Sequence, residues 1–321
     1  MNFNNSRVLV VIVTYNRRKL LEKLLASLKD QSKSIKGILL FDNNSSDDTI
    51  DFLTDSNFIE SNIENEKLFT NIGKINKYYF RSSSNLGGSG GFAKALQLAS
   101  SLDYDYVWIM DDDVIPDVHC LENLLNAIKE HQVEAAIPNR NSINFKDSPV
   151  VKFDLNSVFK YFSSKRKTRI DPPFEEDYYY VQTFAFEGPL ISMKTIRKVG
   201  IPNADYFILY DDTDYAQRIL KYTKIIYVVN AHLFRQLPFK RNTKSSQLGW
   251  KDYYSIRNNM YFDKKYGKNF AVRKISPQLM FAHLVISTIF KGHIKSNMPI
   301  IIKAWKDATL NKMGKGIKNS N

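Results

Sequence analysis

Apolar runs alternate with amphipathic segments over the first 110 residues of the chain. The run VLVVIVTY predicts a buried β-strand, and RRKLLEKLLASLKDQ places leucines at positions 20, 21, 24, 25 and 28, the spacing of one helix face. Further strands are predicted in KGILLFD, KINKYYF and YDYVWIM, with helices in DTIDFLTD and FAKALQLASSL. Short connections between alternating strands and helices favour a mostly parallel sheet covered by helices. The expected fold class is therefore α/β and Rossmann-like.

Each of the four predicted strands ends in a polar cluster. The clusters are Thr14-Tyr15-Asn16, Asp42-Asn43-Asn44, Arg81 with Asn85-Leu86-Gly87-Gly88, and Asp111-Asp112-Asp113. One such cluster would be ordinary turn chemistry, but four in succession indicate a ligand crevice at the carboxyl ends of the strands. The glycine-rich stretch after Asn85 is expected as a turn ahead of a helix that begins near Phe92, although a flexible loop has the same composition.

The segment YVWIMDDDVIP ends an apolar strand on three adjacent carboxylates. Neighbouring aspartates resist desolvation, so the cluster indicates a place where a cation or hydrogen-bond donors offset the charge. Asp111 and Asp113 flank one residue, so both carboxylates can point the same way in an extended turn. Two hard oxygens suit Mg²⁺ or Mn²⁺. A helix cap or an acidic loop is the alternative for an isolated D-x-D sequence.

Charge and composition indicate where in the cell the protein is expected. The formal net charge is +13, and the single cysteine, Cys120, permits no intrachain disulfide, which favours a reducing cytosol. The apolar run from residue 8 to 13 is shorter than a signal peptide or a membrane span. No nucleic-acid-binding motif is present, so nucleic acid is not an expected partner. Residues 141–180 have little regular pattern and are expected as a mobile or substrate-covering loop.

The C-terminal region is strongly basic. From Lys264 onward the sequence has twelve lysines and arginines but a single acid, Asp307, and it includes the apolar stretches LMFAHLVISTIF and MPIIIKAW. Basic helices with apolar faces suit an anionic membrane surface. A solvated helical tail packed on the rest of the chain is the alternative. We expect a catalytic domain over residues 1–262 and a basic helical region over residues 263–321.

Several motifs together resemble the inverting family-2 glycosyltransferases with the GT-A fold, and within them the galactofuranosyltransferase-like and rhamnosyltransferase-like group. The resemblance covers residues 7 to 262 and rests on the order and spacing of VVIVTYNR, FDNNSSDDT, NLGGSGGFAKAL, WIMDDDVIP, FEGPLISMKTIRKVGIPNADYFILYDDTDYAQRI and WKDYYSIRNNMYF. It implies a GT-A domain with a helical C-terminal extension.

The resemblance also implies a role for each cluster. The residues implied to bind the nucleotide, ribose or diphosphate are Thr14, Asn16, Arg17, Asp42, Asn43, Arg81, Asn85 and Gly87, with Asp112 beside them. Mn²⁺ or Mg²⁺ would be held by Asp111 and Asp113 together with His232, although a lone histidine is more often a packing residue. Asp212 would be the catalytic base, with Asp211 as its neighbour. Both would open a helix, where aspartate is also a common N-cap.

The function implied is metal-dependent, inverting transfer of galactofuranose from UDP-galactofuranose to a hydroxyl of a cell-surface polysaccharide or lipid-linked glycan, at the inner face of the membrane. Transfer of rhamnose from dTDP-rhamnose is an alternative. From another class, the chain could bind nucleotide-sugars without catalysis, which the presence of Asp111, Asp113 and Asp212 argues against. A nucleotidyltransferase is a further enzymatic alternative. The sequence leaves open whether the chain forms an oligomer.

Overall fold

The apolar run at residues 8–14 forms a strand in the interior of the main sheet, with all seven residues buried. The computed structural model describes residues 6–238 and 247–317. The strands are β1 (Val8–Thr14), β2 (Gly37–Asp42), β3 (Phe69–Asn71), β4 (Asn76–Arg81), β5 (Tyr106–Asp111), β6 (Val114–Pro116), β7 (Ala135–Asn139), β8 (Val150–Phe153), β9 (Lys167–Arg169), β10 (Tyr178–Val181), β11 (Leu190–Ser192) and β12 (Ile225–Arg235). The helices are α1 (Arg18–Lys29), α2 (Thr49–Asp55), α3 (Gly87–Ser100), α4 (Cys120–Glu130), α5 (Ser163–Arg166), α6 (Met193–Val199), α7 (Asp211–Ile219), α8 (Trp250–Tyr266), α9 (Ser276–Phe290) and α10 (Ile294–Thr309).

The sheet has a parallel centre and mixed edges. Its order is β10-β12-β7-β11-β5-β1-β2-β4-β3, with β6 paired to the far end of β12. Strands β5, β1, β2 and β4 are mutually parallel, whereas β11 and β3 run antiparallel to their neighbours. The register pairs Thr14 with Asp42, and Asp42 with Arg81. The predicted α/β class is confirmed, and the register brings the carboxyl ends of the parallel strands to one edge.

Two apolar cores cover the two faces of the sheet. Val8, Val10 and Ile12 point into one core, and the alternate residues of β1 point into the other. The first core contains the leucines of α1 and α4, and the second contains the apolar faces of α3 and α7. Because both faces are covered, β1 is continuously apolar rather than alternating.

Helix α3 begins five residues earlier than the sequence pattern indicates, at Gly87 rather than near Phe92. Gly87 has a φ of +75°, and a Cβ there would lie 2.5 Å from the carbonyl oxygen of Phe207. A Cβ on Gly91 would lie 2.9 Å from Cγ1 of Val13. The glycines therefore form the first turn of the helix, because only they let it approach β1 and the loop before α7 so closely.

The C-terminal helices pack directly against α8. A third core joins Tyr253 and Tyr254 of α8 to Met280 of α9 and Ile301 of α10, so the expected helical C-terminal region is confirmed. The expected boundary between residues 262 and 263 falls inside α8. None of the helices in the described part of the chain is both long and apolar enough to cross a membrane.

A buried ion pair crosses the same boundary. Arg166, at the end of α5, is 1% exposed and lies 2.8 Å from the carboxylate of Asp263 in α8. The Arg166 guanidinium also donates to Ser276 Oγ, at the start of α9. The segment that leads into β9 is therefore fixed by residues that follow position 262.

Candidate active site

The loops after β1 and β5 are tied together by Asp112. Thr14 Oγ1 donates to one Asp112 carboxylate oxygen at 2.8 Å, and Arg17 Nη1 donates to the other at 3.0 Å. The same Arg17 nitrogen donates to Asp113 Oδ2 at 3.0 Å. Asp112 is buried and fully engaged, so in this conformation it anchors the edge of the crevice rather than facing its interior.

Asp42 lies at the end of β2 and is also fully buried. Its carboxylate accepts hydrogen bonds from the Tyr79 hydroxyl at 2.8 Å and the Ser45 backbone N–H at 2.7 Å. Arg81 Nε lies 3.7 Å from Asp42 Oδ2, and Arg81 Nη2 donates to the Ser45 carbonyl at 2.7 Å. These bonds fix the loop after β2 against β4.

Asparagines connect the remaining loops. The Asn43 amide donates to Asn85 Oδ1 at 3.2 Å and to the Gly87 carbonyl at 3.0 Å. Asn16, with a φ of +53°, accepts the Ser46 backbone N–H at 2.7 Å. The structure thus gathers the nine sequence-predicted nucleotide-site residues at one edge of the sheet. That each of them contacts a nucleotide stays a prediction.

Asp111 and Asp113 have oxygens suited to a divalent cation. Asp113 Oδ1 is buried with no hydrogen-bond partner in the described part of the chain, and the neighbouring Asp111 is partly buried. Burial, together with the charges of Glu187 and Asp113, raises the pKa of Asp111 well above its usual range. Two crowded carboxylates with uncompensated oxygens fit Mg²⁺ or Mn²⁺, which prefer such ligands.

His232 does not join these carboxylates. It lies opposite Asp117, whose backbone N–H donates to the His232 carbonyl, whereas Gln236 lies opposite Asp113. Four residues of strand separate the two positions, which is about 13 Å at 3.3 Å per residue. Among the described residues no group of three or more histidine, cysteine or acidic side chains has the geometry to hold a metal. That His232 completes a metal site stays a prediction.

Arg235 of β12 lies beside Glu187, the residue whose charge acts on Asp111. Its Nε is 3.6 Å from the Glu187 carboxylate, which also accepts a hydrogen bond from Arg140 at 2.9 Å. Arg140 pairs in turn with Asp147 at 2.8 Å. Sequence reasoning missed this network because its members lie far apart in the chain with no shared spacing. The segment FEGPL was the one signal, and it did not indicate the arginines.

The second acidic cluster lies in the first turn of α7. Asp211 and Asp212 are the first two residues of that helix, where carboxylates interact favourably with the helix dipole. The N-cap is Tyr210, with a φ of +74°, and it makes no side-chain capping bond. Neither aspartate is therefore the N-cap that the sequence suggested.

The three acids of this turn have different surroundings. Asp214 is fully buried and accepts hydrogen bonds from Tyr206, Lys265, Tyr266 and Arg218, so its role is structural. Burial and the charge of Asp212 raise the pKa of Asp211 to about 7. Burial also raises the pKa of Asp212, although Lys167 and the Thr213 N–H oppose that rise. Asp212 lines a cavity of about 160 Å³, which gives it access to a ligand.

The loop before Asp211 is held in an unfavourable backbone conformation. Phe207, Leu209 and Tyr210 all have positive φ, and each such residue costs roughly 1–3 kcal/mol. The buried Asn258 amide of α8 donates to the carbonyls of Tyr206, Ile208 and Leu209 at 3.1, 2.9 and 2.9 Å. Helix α8 thereby fixes where α7 begins, and with it the position of Asp212.

The two acidic clusters adjoin. Glu187 acts on Asp111 through its charge and is bonded to Arg140, and Arg140 lines the cavity that contains Asp212. The Glu187–Arg140 pair therefore links the acidic cluster at the strand ends to the cavity that contains Asp212. This is the arrangement in which a ligand bound along the strands would meet a second ligand beside Asp212.

The parallel sheet, the crevice at its strand ends and the facing carboxylate define an α/β domain of the GT-A class. The family model described as glycosyl transferase family 2 matches residues 9–186, more than half of the chain. The chain belongs to that family.

Known proteins in this class are similar to the chain. Galactofuranosyltransferase GlfT1 of Mycolicibacterium smegmatis is 25% identical over 217 residues, which cover 67% of this chain and 65% of that protein. The protein of the same name from Mycobacterium tuberculosis is 24% identical over 67% of this chain and 64% of its own length. The chain thus matches less than two thirds of the length of these relatives.

Solved structures share the fold. Residues 1–349 of S. aureus TarS, in complex with UDP-GlcNAc, match with a TM-score of 0.57 and 15% identity over 94% of this chain and 81% of that one. GalNAc-T7 with UDP, GalNAc and Mn²⁺ matches with a TM-score of 0.55 and 13% identity over 90% of this chain and 58% of that one. The GT-A expectation is confirmed.

Proposed function

We propose that the protein is a metal-dependent, inverting glycosyltransferase that uses a nucleotide-activated sugar. The observation that carries the proposal is the juxtaposition of two acidic clusters with different surroundings. Asp113 has a buried oxygen without a hydrogen-bond donor among the described residues, and the partly buried Asp111 lies beside it, at the strand ends where nucleotides bind in α/β sheets. Asp212 lines a separate cavity, which Arg140, the partner of Glu187, also lines.

The division of labour follows from this geometry. Asp212 takes the proton of the acceptor hydroxyl while the oxygen of that hydroxyl bonds to the anomeric carbon of the donor sugar. The bond from the anomeric carbon to the diphosphate breaks at the same time. Attack from the side opposite the leaving group inverts the configuration. Asp111 and Asp113 would hold Mn²⁺ or Mg²⁺, which would offset the charge of the departing nucleoside diphosphate. Arg17 fixes Asp113 for that task, because it bonds the other carboxylate oxygen.

The donor we propose is UDP-galactofuranose. It is supported by the names of the relatives in two mycobacterial species, and UDP is the nucleotide bound in the structurally similar proteins. The acceptor is a hydroxyl of a surface polysaccharide or a lipid-linked glycan. dTDP-rhamnose remains the alternative donor, since the crevice residues do not distinguish the two sugars.

A screen of nucleotide-sugars tests the proposal. Metal-dependent consumption of a donor, release of UDP or dTDP and an inverted anomeric configuration by NMR are the expected results. Retention of configuration would contradict the mechanism, and tight binding of a donor that is never consumed would indicate a non-catalytic binding protein. Consumption of a nucleoside triphosphate with release of pyrophosphate would indicate a nucleotidyltransferase.

We also propose that the C-terminal helices contact an anionic membrane at its inner face. Helix α9 contains no charged residue, and it ends in an exposed apolar group that continues into α10. This group, which we term the α9–α10 tip, consists of Ile286, Ile289, Phe290 and Ile294, and Phe290 is 87% exposed. Lys291 and Lys295 flank it. Apolar side chains beside lysines suit the boundary between acyl chains and anionic headgroups.

Replacing Ile289 and Phe290 together by serine should weaken binding to phosphatidylglycerol vesicles by about tenfold or more, because two exposed apolar side chains leave the acyl region. Sedimentation with vesicles at two salt concentrations measures it, since the lysine contribution is screened by salt. Phe159→Ser is the matched control, as Phe159 is 79% exposed elsewhere on the surface. Equal binding of the double variant and the parent would show that the tip does not touch the membrane.

A further inference from the structure

The cavity beside Asp212 is walled on one side by a basic hairpin. Strands β8 and β9 pair antiparallel within residues 141–180, where the sequence indicated only a loop. Lys167 and Arg169 lie two positions apart on β9, so their side chains leave the same face of the hairpin. Both line the cavity with Asp212, Arg140 and Asp147. At about 160 Å³ it holds more than a single water molecule.

The positive charges on this wall differ in their partners. Arg140 is satisfied by Asp147 at 2.8 Å and Glu187 at 2.9 Å. Lys167 and Arg169 form no ion pair with any carboxylate in the part of the chain that the structure describes. Lys167 Nζ lies 5.6 Å from the centre of the Phe153 ring, and Arg169 Nη1 donates to the Ser148 carbonyl at 2.9 Å. Two cations thus face the cavity without an ionic partner.

The electrostatics agree with this geometry. Burial lowers the pKa of Lys167, and the positive charge of Arg169 lowers it further, whereas Asp212 acts in the opposite direction. Burial likewise lowers the pKa of Arg169, with Arg140 contributing and Asp147 opposing. Lys167 is partly buried and Arg169 is exposed, so the two like charges repel each other, and an anion bound between them would relieve that repulsion. Both side chains line the cavity with Asp212, and neither is among the residues predicted to bind the nucleotide.

We propose that this cavity binds an anionic group of the acceptor, a phosphodiester or a carboxylate close to the hydroxyl that receives the sugar, with Lys167 and Arg169 as its ligands. The inference rests on the proposed function, in which Asp212 is the base for that hydroxyl. It narrows the acceptor from any glycan to one that carries negative charge at the site of attack.

A binding experiment tests the cavity without relying on transfer. With the donor site filled by UDP and Mn²⁺, the phosphodiester glycerophosphoglycerol and the carboxylate glucuronate are titrated by calorimetry into the parent and into a Lys167→Gln, Arg169→Gln double variant. We expect the parent to bind at least one probe and the double variant to bind it about tenfold more weakly or worse, since two charge-assisted contacts are lost. The preferred probe tells phosphodiester from carboxylate.

The matched control is Lys152→Gln, Lys165→Gln, which removes the same charge from the opposite side of the hairpin and from α5. It should bind the probes as the parent does. No binding of either probe to the parent, or equal binding to both double variants, would overturn the proposal.

Transfer provides the second readout. The acceptors are three octyl glycosides, one neutral, one with a phosphodiester and one with a uronic acid. In the Lys167→Gln, Arg169→Gln variant the acceptor KM should be about tenfold higher or more for a charged glycoside only, and the donor KM should be unchanged. Lys167→Arg should restore most of the lost affinity. An equal loss with the neutral glycoside would refute a role in recognising charge. If the parent consumes no donor with any glycoside, the proposed function fails, whereas the calorimetric result still decides the anion site.

Discussion

Replacing Asp212 by asparagine should lower the rate of sugar transfer by about a hundredfold to ten-thousandfold, because the amide cannot accept the proton of the attacking hydroxyl. The affinity for UDP with metal should change little, since Asp212 lines the cavity with Arg140 and is not one of the residues at the strand ends. Calorimetry with UDP and a transfer assay on the same preparation measure both quantities. Transfer at nearly the parent rate would place the base elsewhere, and loss of UDP binding would place Asp212 in the metal site.

Asp211→Asn is the matched control in the same turn of α7. Asp211 is buried and does not line the cavity, so its replacement should cost far less in transfer rate. The pH profile separates the two further. Because burial raises the pKa of Asp212, kcat/KM should fall on acidification at a pH above 3.8, the ordinary aspartate value. The base works only when deprotonated, so that acidic limb should be absent from the residual activity of Asp212→Asn.

Removing the divalent cation should abolish transfer, and Mn²⁺ or Mg²⁺ should restore it. Asp111→Asn should weaken Mn²⁺ binding in the presence of UDP by more than the roughly 10- to 100-fold that changes in outer-shell partners cost. Electron paramagnetic resonance of free Mn²⁺ measures this independently of activity. Sugar transfer at the parent rate in excess chelator would contradict the assignment of a metal to Asp111 and Asp113.

The His232→Ala variant tests whether this histidine is a ligand of the metal. The family resemblance makes His232 a ligand, whereas the register of β12 against β6 places it about 13 Å along the strand from Asp113. The variant should therefore bind Mn²⁺ as the parent does. A loss as large as that of Asp111→Asn would mean that the chain rearranges to bring His232 to the cation.

The periodic parts of the fold could be predicted from the sequence. Strands β1, β2, β4 and β5 are buried on both faces, so their apolar runs were unambiguous, and parallel pairing then placed their polar ends together. The start of α3 could not be predicted, because it depends on how closely Gly87 and Gly91 approach Phe207 and Val13. Such contacts between distant segments leave no periodic signal.

The sequence pointed to the acidic residues of the candidate site, whereas it gave no sign of the arginines that surround Glu187 and line the cavity beside Asp212. The three aspartates after β5 and the two that open α7 are contiguous in the chain, so composition revealed them. These arginines become recognisable only in the fold, because three separate segments bring them to Glu187 and Asp212. They are Arg140, Arg169 and Arg235, and each alone is an ordinary basic residue in the sequence. His232 shows the converse, because the family resemblance alone suggested it, and the register of β12 places it four residues along the strand from the position opposite Asp113.

The buried pair between Arg166 and Asp263 constrains how this protein could be recombined. A chimera that joined residues 1–262 of this chain to other C-terminal helices would leave the Arg166 charge buried without its partner, at a cost of roughly 3–5 kcal/mol. That is a large part of the 5–15 kcal/mol that typically stabilises a folded protein. Because Arg166 directly precedes Lys167, the loss would also reach the wall of the cavity beside Asp212. A gene fusion between residues 262 and 263 therefore separates two halves of one folded unit, so the C-terminal helices and the basic hairpin would have to be transferred together.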